Sequence, residues 1–412
     1  MSRRRAATRP RRSATEWAVR GGLAVVAAGL GTVSVAHSLA YMIRGSDPAR
    51  AHALAPWDGR ITALLSERLS GPEASAADRR QADDLARLAL RQDPTAVSAV
   101  ATLGINAQVR GDTAGARRIL AYSEKLSRRD LRTRLWAIED AVARNDIPGV
   151  LRNYDIALRT SRIAPDLLFP VLASAIGDTE IRQELAKTMA RRPMWNDQFL
   201  GFVAGNGADA RATASLFETL HRRQIGLPQG AAPMLVGRLL AEQHFDDAWR
   251  FYAVVTPGVD RQMARDPDFT ANPASPTPFD WQPVTDSGVS ASIQRGENGG
   301  IFDFAVPPNL GGPVLRQTQL LSPGEYAIDG RSIGIDQTEA ALPYWTLTCA
   351  EGRELGRVVV PNSAQAKGRF AGRFTVPAGC PVQQLQLVAR PSDALSGVSG
   401  QMDEVRLRPV AR

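Results

Sequence analysis

Two periodicities divide the chain. From Trp57 to about Val255, apolar side chains recur every three or four residues, as on a helix with one buried stripe. From about Thr256 they recur at every second residue, as in strands with one buried face. Thr95 to Arg110 places Val97, Val100, Ala101, Leu103, Gly104 and Ala107 on one helical stripe, and Gly111-Asp112 ends it. Thr113 to Leu126 then predicts a second helix with Ala116, Ile119, Leu120 and Ser123 inside. Such a hairpin leaves an apolar face that needs neighbours stacked on it. Asn145-Asp146 repeats the Gly111-Asp112 turn 34 residues later, and Gly177-Asp178 follows after 32 more. Later turns fall at Gly205 and His244-Phe245, and about six hairpins are expected between Trp57 and Pro257. The last three pair Asp166–Ile176 with Thr179–Ala190, Trp195–Val203 with Ala208–Arg223, and Ala232–Gln243 with Phe245–Val255.

Asp266 to Pro283 holds five Pro and is expected to be part of an interdomain linker, 258–283. Beyond it, strands are predicted at Val289–Gln294, Ile301–Val306, Val314–Leu321, Gly324–Asp329, Tyr344–Cys349, Arg357–Val360, Gly368–Val376, Val382–Ala389 and Gln401–Leu407. Gly- and Pro-rich turns at regular spacing between them suggest an antiparallel β-sandwich over 284–412. Trp345, Leu347 and Cys349 share one face of their strand, and Thr346 and Thr348 share the other.

The N-terminal region matches neither period. Between Arg20 and Arg44 lie 23 residues without formal charge (21–43), enough at about 1.5 Å per residue to cross a hydrocarbon layer of roughly 30 Å. Residues 1–20 carry seven Arg against Glu16, which predicts a cytoplasmic tail and a single-pass inner-membrane anchor with the bulk in the periplasm. A signal peptide cleaved after Ser38-Leu39-Ala40 and a buried helix are the alternatives. Residues 44–56 are expected to be a polar linker, and 57–257 the helical array. The tail accounts for +6 of the net charge of +8, leaving about +2 on the other 392 residues. The high pI therefore does not indicate a nucleic-acid partner.

Leu103, Gly104, Ala107, Gly111, Asp112, Ala116 and Leu120, with Ala82, Ala89 and Pro94 before them, resemble a tetratricopeptide repeat. Val100 stands where the family has Trp, and Arg128 where a closing Pro belongs. The resemblance implies an α-solenoid whose concave side holds a protein segment. Leu321-Ser-Pro-Gly-Glu-Tyr326, Phe374-Thr-Val-Pro377 and Gly400 to Leu407 resemble the jelly-roll carbohydrate-binding modules of the galactose-binding-like superfamily. That likeness implies a possible glycan ligand, and a structural calcium at Asp403. Trp281, Tyr326 and Tyr344 are the aromatics that could stack on sugar rings, with core packing as the competing role.

Other chemistry is sparse. Cys349 and Cys380 are the only cysteines and read as a disulfide outside the cytoplasm, or as two buried thiols within it. The four His are scattered, and none follows residue 244 to serve a Ser or Cys nucleophile in the sandwich. Asp83-Asp84 and Asp246-Asp247 read as helix starts, where carboxylates suit the dipole. Gly29-Leu-Gly31 and Gly205-Asn-Gly207 lack the context of phosphate loops. The expectation is a multidomain α-then-β, non-catalytic membrane-anchored adaptor of the envelope, serving surface polysaccharide synthesis or export, with a protein partner on the helices, a glycan on the sandwich, and no cofactor beyond that calcium. A glycan-metabolising enzyme with its site in the helical domain, and a structural protein whose sandwich caps the solenoid, are the other readings.

Overall fold

The computed structural model describes residues 13–286, 288–296 and 299–410. Most of the Arg-rich tail lies outside the described residues. Fourteen helices precede ten strands among those described, and contacts divide the chain into two compact units, 1–164 and 165–412.

The first unit opens on α1 (Ala14–Ile43), a 30-residue helix long and apolar enough to cross a membrane. Leu23, Val25, Val26, Leu30 and Val35 are exposed along it, which corrects the buried-helix alternative. Only Ala40 is buried, packed with Ala51, Ala55 and Ile61. The expected 44–56 linker is largely helical: α2 (Pro48–Leu54) starts on an Asp47 cap with Pro at its first position. Three hairpins follow: α3 (Gly59–Leu69) with α4 (Ala76–Gln92), α5 (Val97–Val109) with α6 (Thr113–Leu126), and α7 (Leu131–Ala143) with α8 (Ile147–Thr160).

The 34-residue echo has a physical basis in its turns. Gly111 and Asn145 both take positive φ, as C-terminal helix stops do. Asp112 Oδ1 then accepts from the Gly115 N–H at 2.8 Å, and Asp146 Oδ1 from Gly149 at 2.9 Å. At Gly104 a Cβ would come within 2.5 Å of Leu120 Cγ, so that glycine lets α5 and α6 approach. Asp83 corrects its sequence reading. It lies inside α4, buried, where it accepts from Asn106 Nδ2 and Arg110 Nη1, both at 2.7 Å.

The second unit holds α9 (Ala164–Ala175, whose first residue belongs to the first unit), α10 (Thr179–Met189), α11 (Asn196–Asn206), α12 (Ala210–Arg222), α13 (Ala231–Ala241) and α14 (Phe245–Val255). The strands are β1 (Gln282–Pro283), β2 (Ser290–Gly296), β3 (Gly299–Val306), β4 (Gly312–Gln319), β5 (Gly324–Ile333), β6 (Tyr344–Cys349), β7 (Glu354–Val359), β8 (Arg369–Val376), β9 (Gln383–Ala389) and β10 (Val398–Pro409). They form two antiparallel five-stranded sheets, ordered β1-β4-β9-β6-β7 and β2-β3-β10-β5-β8. Trp345, Phe302, Phe304 and Phe374 are fully buried in their shared core.

Residues 258–283 do not behave as a free linker. Phe269 and Phe279 are fully buried, and the Val405 N–H donates to Pro267 O at 2.8 Å. Proline shaped the turns here, but the aromatic side chains had apolar area to bury. Arg265 is buried as well. Its guanidinium donates to Phe279 O at 2.8 Å, to Gln319 Oε1 at 2.6 Å and to Thr318 O. Loss of solvent pushes its pKa down to about 10, against the pull of Tyr252 and Asp280.

Candidate ligand-binding face

The β1-β4-β9-β6-β7 sheet turns Leu315, Leu387, Trp345 and Val358 into the core, and Arg316, Gln386, Thr346 and Arg357, next to them in sequence, lie on the opposite face. Register aligns these residues into a row. Gln282 pairs with Arg316, Arg316 with Gln386, Gln386 with Thr346, and Thr346 with Arg357. A second row runs Thr318, Gln384, Thr348, Glu354, and Tyr344 lies between Val388 and Val359 in a third. Thr318 and Thr346 are buried in these rows, and the Thr346 hydroxyl donates to Gly356 O at 3.0 Å, so Arg316, Gln386 and Arg357 are the open groups beside the phenol ring.

The side chains are partly tied to each other. Arg316 Nε donates to Gln282 Oε1 at 3.1 Å, and Gln384 Nε2 to Thr318 Oγ1 at 2.8 Å. Gln384 Oε1 is buried without a hydrogen-bond partner. Arg357 donates to both Glu354 oxygens, at 2.7 and 2.8 Å, and its Cζ stands 4.7 Å from the Tyr344 ring centre. Arg390 Cζ lies 4.9 Å from the same centre. Two guanidiniums therefore already stand over this one ring.

Only one of the three predicted sugar-stacking aromatics is on this face. Tyr344 is half-buried there. Trp281 is a core residue: its indole N–H donates to Asp266 O at 2.9 Å, and its ring lies 5.6 Å from Phe269 and 5.8 Å from Trp345. Tyr326 is buried too, its hydroxyl bonded to Ser322 O at 2.9 Å and to Gln262 Oε1 at 2.5 Å. Burial pushes the Tyr326 pKa up. Both needed a polar partner for one end and an apolar site for the ring, and the core supplied them. Sequence reading missed Gln386, Arg316 and Arg357, although alternation in Gln384-Leu-Gln-Leu387 marked Gln386 as outward.

Asp403 lies on the other sheet. Arg331 takes both of its carboxylate oxygens, one from Nε at 3.0 Å. A hard cation would need those same oxygens, and no group of three or more His, Cys, Asp or Glu placed to hold a metal occurs among the described residues. The Cys349–Cys380 disulfide is formed, with Cα atoms 5.6 Å apart.

No known protein-family model matches the chain, and no curated protein sequence matches it. Among solved structures it is similar to an arabinose-bound α-L-arabinofuranosidase, at 12% identity over 37% of this chain and 27% of that one, with a TM-score of 0.29. The chain thus spans about a quarter of that enzyme's length. It is also similar to the CBM22-1 xylan-binding domain from Paenibacillus barcinonensis (13% identity, 36% of this chain, 96% of that one, TM-score 0.26). A CBM61 module in complex with β-1,4-galactotriose is a third (11% identity, 32% and 88%, TM-score 0.23). Similarities of this size assign no function to the chain.

Proposed function

We propose that this protein is a membrane-anchored, non-catalytic binding protein of the bacterial cell envelope, with a glycan site on the outer face of the β1-β4-β9-β6-β7 sheet. The observation that carries the reading is the aligned row Gln282, Arg316, Gln386, Thr346 and Arg357 beside Tyr344. Sugar hydroxyls both donate and accept, as do Gln and Thr side chains. A sugar C–H face would take the Tyr344 ring by displacing Arg357 or Arg390 from it, and a ligand hydroxyl donating to Gln384 Oε1 would give that buried oxygen the partner it lacks. The helical hairpins serve as the protein-binding part, and the N-terminus is cytoplasmic with the bulk periplasmic.

The anchor reading, rather than a cleaved signal, is supported by Ala40. Cleavage after it would strip a fully buried side chain from its contacts with Ala51, Ala55 and Ile61. The test uses the full chain in detergent and polysaccharides extracted from the producing cell. Saturable binding, lost in Tyr344→Ala and Gln386→Ala, with the glycan recovered intact, is the expected result. Binding that both variants retain, or a folded protein that binds none, defeats the glycan site; cleaved or transferred glycan would make the protein an enzyme.

A further inference from the structure

In the first unit α5 and α6 pack closely, whereas α6 and α7 meet through few contacts. A cleft of about 910 Å³ opens between α6, α7 and α8. Arg117, Lys125, Arg128, Arg134, Arg144 and Arg152 line it against only two carboxylates, Glu124 and Asp140. Asp140 is already shared, with Arg117 at 2.7 Å and Arg144 at 3.2 Å. Burial would raise the Asp140 pKa, but those two guanidiniums hold it below the usual carboxylate range.

Arg134 is the distinctive member. It is 3% exposed and donates through Nη1 to Glu124 Oε1 at 2.7 Å and to Asn153 Oδ1 at 3.2 Å. Its Nε–H, also buried, has no partner. A buried guanidinium donor left open costs free energy that an incoming acceptor would recover. Leu120, Trp136 and Ile156 give the same cleft apolar patches.

We infer that this cleft binds an acidic peptide segment of a partner protein, its carboxylates meeting Arg134, Arg128 and Arg152 and its apolar side chains the patches between. The mixture of cations and apolar wall favours a peptide over a polyanionic glycan, which has no apolar side chains to fill those patches. The inference rests on the protein-binding role proposed for the hairpins, and it stands apart from the sheet-face glycan site. It also differs from a separate depression of about 660 Å³ lined by Ile105, Val109 and Leu135.

The test measures fluorescence anisotropy of a labelled synthetic peptide alternating Glu and Leu, with full-length protein in detergent. A Lys–Leu peptide and polygalacturonate are the comparators. Saturable binding of the Glu peptide is expected, weakening as salt rises because the rim cations are exposed. Combined Arg128→Glu and Arg152→Glu should weaken it by about tenfold or more through like-charge repulsion. Both positions are exposed, so folding is preserved; Arg134→Met, checked by circular dichroism, should weaken it as well. Equal binding of the Lys peptide, binding unchanged in the double variant, or binding of polygalacturonate alone overturns the proposal. Loss only in Ile105→Glu, Val109→Glu would move the peptide to that second depression, which overturns the cleft while preserving a protein-binding role.

Discussion

The Tyr252 hydroxyl donates to Asp280 Oδ1 at 2.7 Å, tying α14 to the segment that leads into β1. Asp280 Oδ2 accepts from Thr277 N and Oγ1, at 2.7 and 2.8 Å, so both of its oxygens are committed. Burial, and then the Asp280 charge, push the Tyr252 pKa well above its ordinary value. Tyr252→Phe removes the donor and leaves a carboxylate short of a partner. Destabilisation of about 1.5–3 kcal/mol is expected, read as a lower denaturant midpoint with unchanged slope. An unchanged midpoint would mean that water replaces the hydroxyl.

The disulfide closes a separation of 31 residues within the second unit. Replacing both Cys349 and Cys380 by Ala should cost roughly 3–4 kcal/mol in the chain-entropy account. Thermal unfolding of the oxidised and variant proteins checks it. A sandwich that melts at the same temperature in both would remove the bridge from the stability of the fold.

Two helical glycines should respond in opposite directions to Ala. At Gly104 the new methyl meets Leu120, and about 1–3 kcal/mol should be lost as α5 and α6 are forced apart. At Gly201, inside α11, nothing lies within 4 Å of the new atom, and a gain of about 0.5–1 kcal/mol is expected. Urea unfolding of both variants decides; a gain at Gly104 would show that the hairpin has slack.

Acid should weaken the first unit. The Asp93 carboxyl, which accepts from Thr95 and Arg60, and Asp140 both titrate below their ordinary value in the folded chain. A depressed folded pKa gives stability that is full above the unfolded value, near 4, and fades as pH falls through the folded one. Tyr154 runs the other way: burial raises it to about 12, so its contribution is lost as pH climbs from about 10 to 12. Melting temperatures across pH 3 to 7 should therefore be level from 7 to 5 and drop below 4.

Much of this was legible in the sequence, for local reasons. The turns at Gly111 and Asn145 need positive φ and an Asp cap, and both requirements are written in adjacent residues. The nine strands longer than two residues each announced themselves by alternation, and the exception was β1, too short to alternate. The seven-residue α2 is likewise shorter than two helical turns, although Asp47-Pro48 was a start signal. Trp281 precedes β1 in an irregular stretch, where no period assigns a face. Asp83 was misplaced because its partners, Asn106 in the next helix and Arg110 at that helix's C-terminal cap, lie outside its own segment. The division at Ala164 was invisible, since helical periodicity runs through it unchanged.

For the membrane-anchored binding protein proposed above, the end of α1 decides how a partner would be met. Ser46 and Asp47 donate their N–H groups back to Ile43 O at 3.1 and 2.8 Å, and α2 starts at once, leaving no slack between α1 and the helices that follow. A domain on a loose tether sweeps a hemisphere and gains mostly in local concentration. One on a stiff mast sweeps a ring at nearly constant height. The first unit would therefore meet partners only at one level above the lipid, which makes reach, as much as affinity, a filter on what can bind.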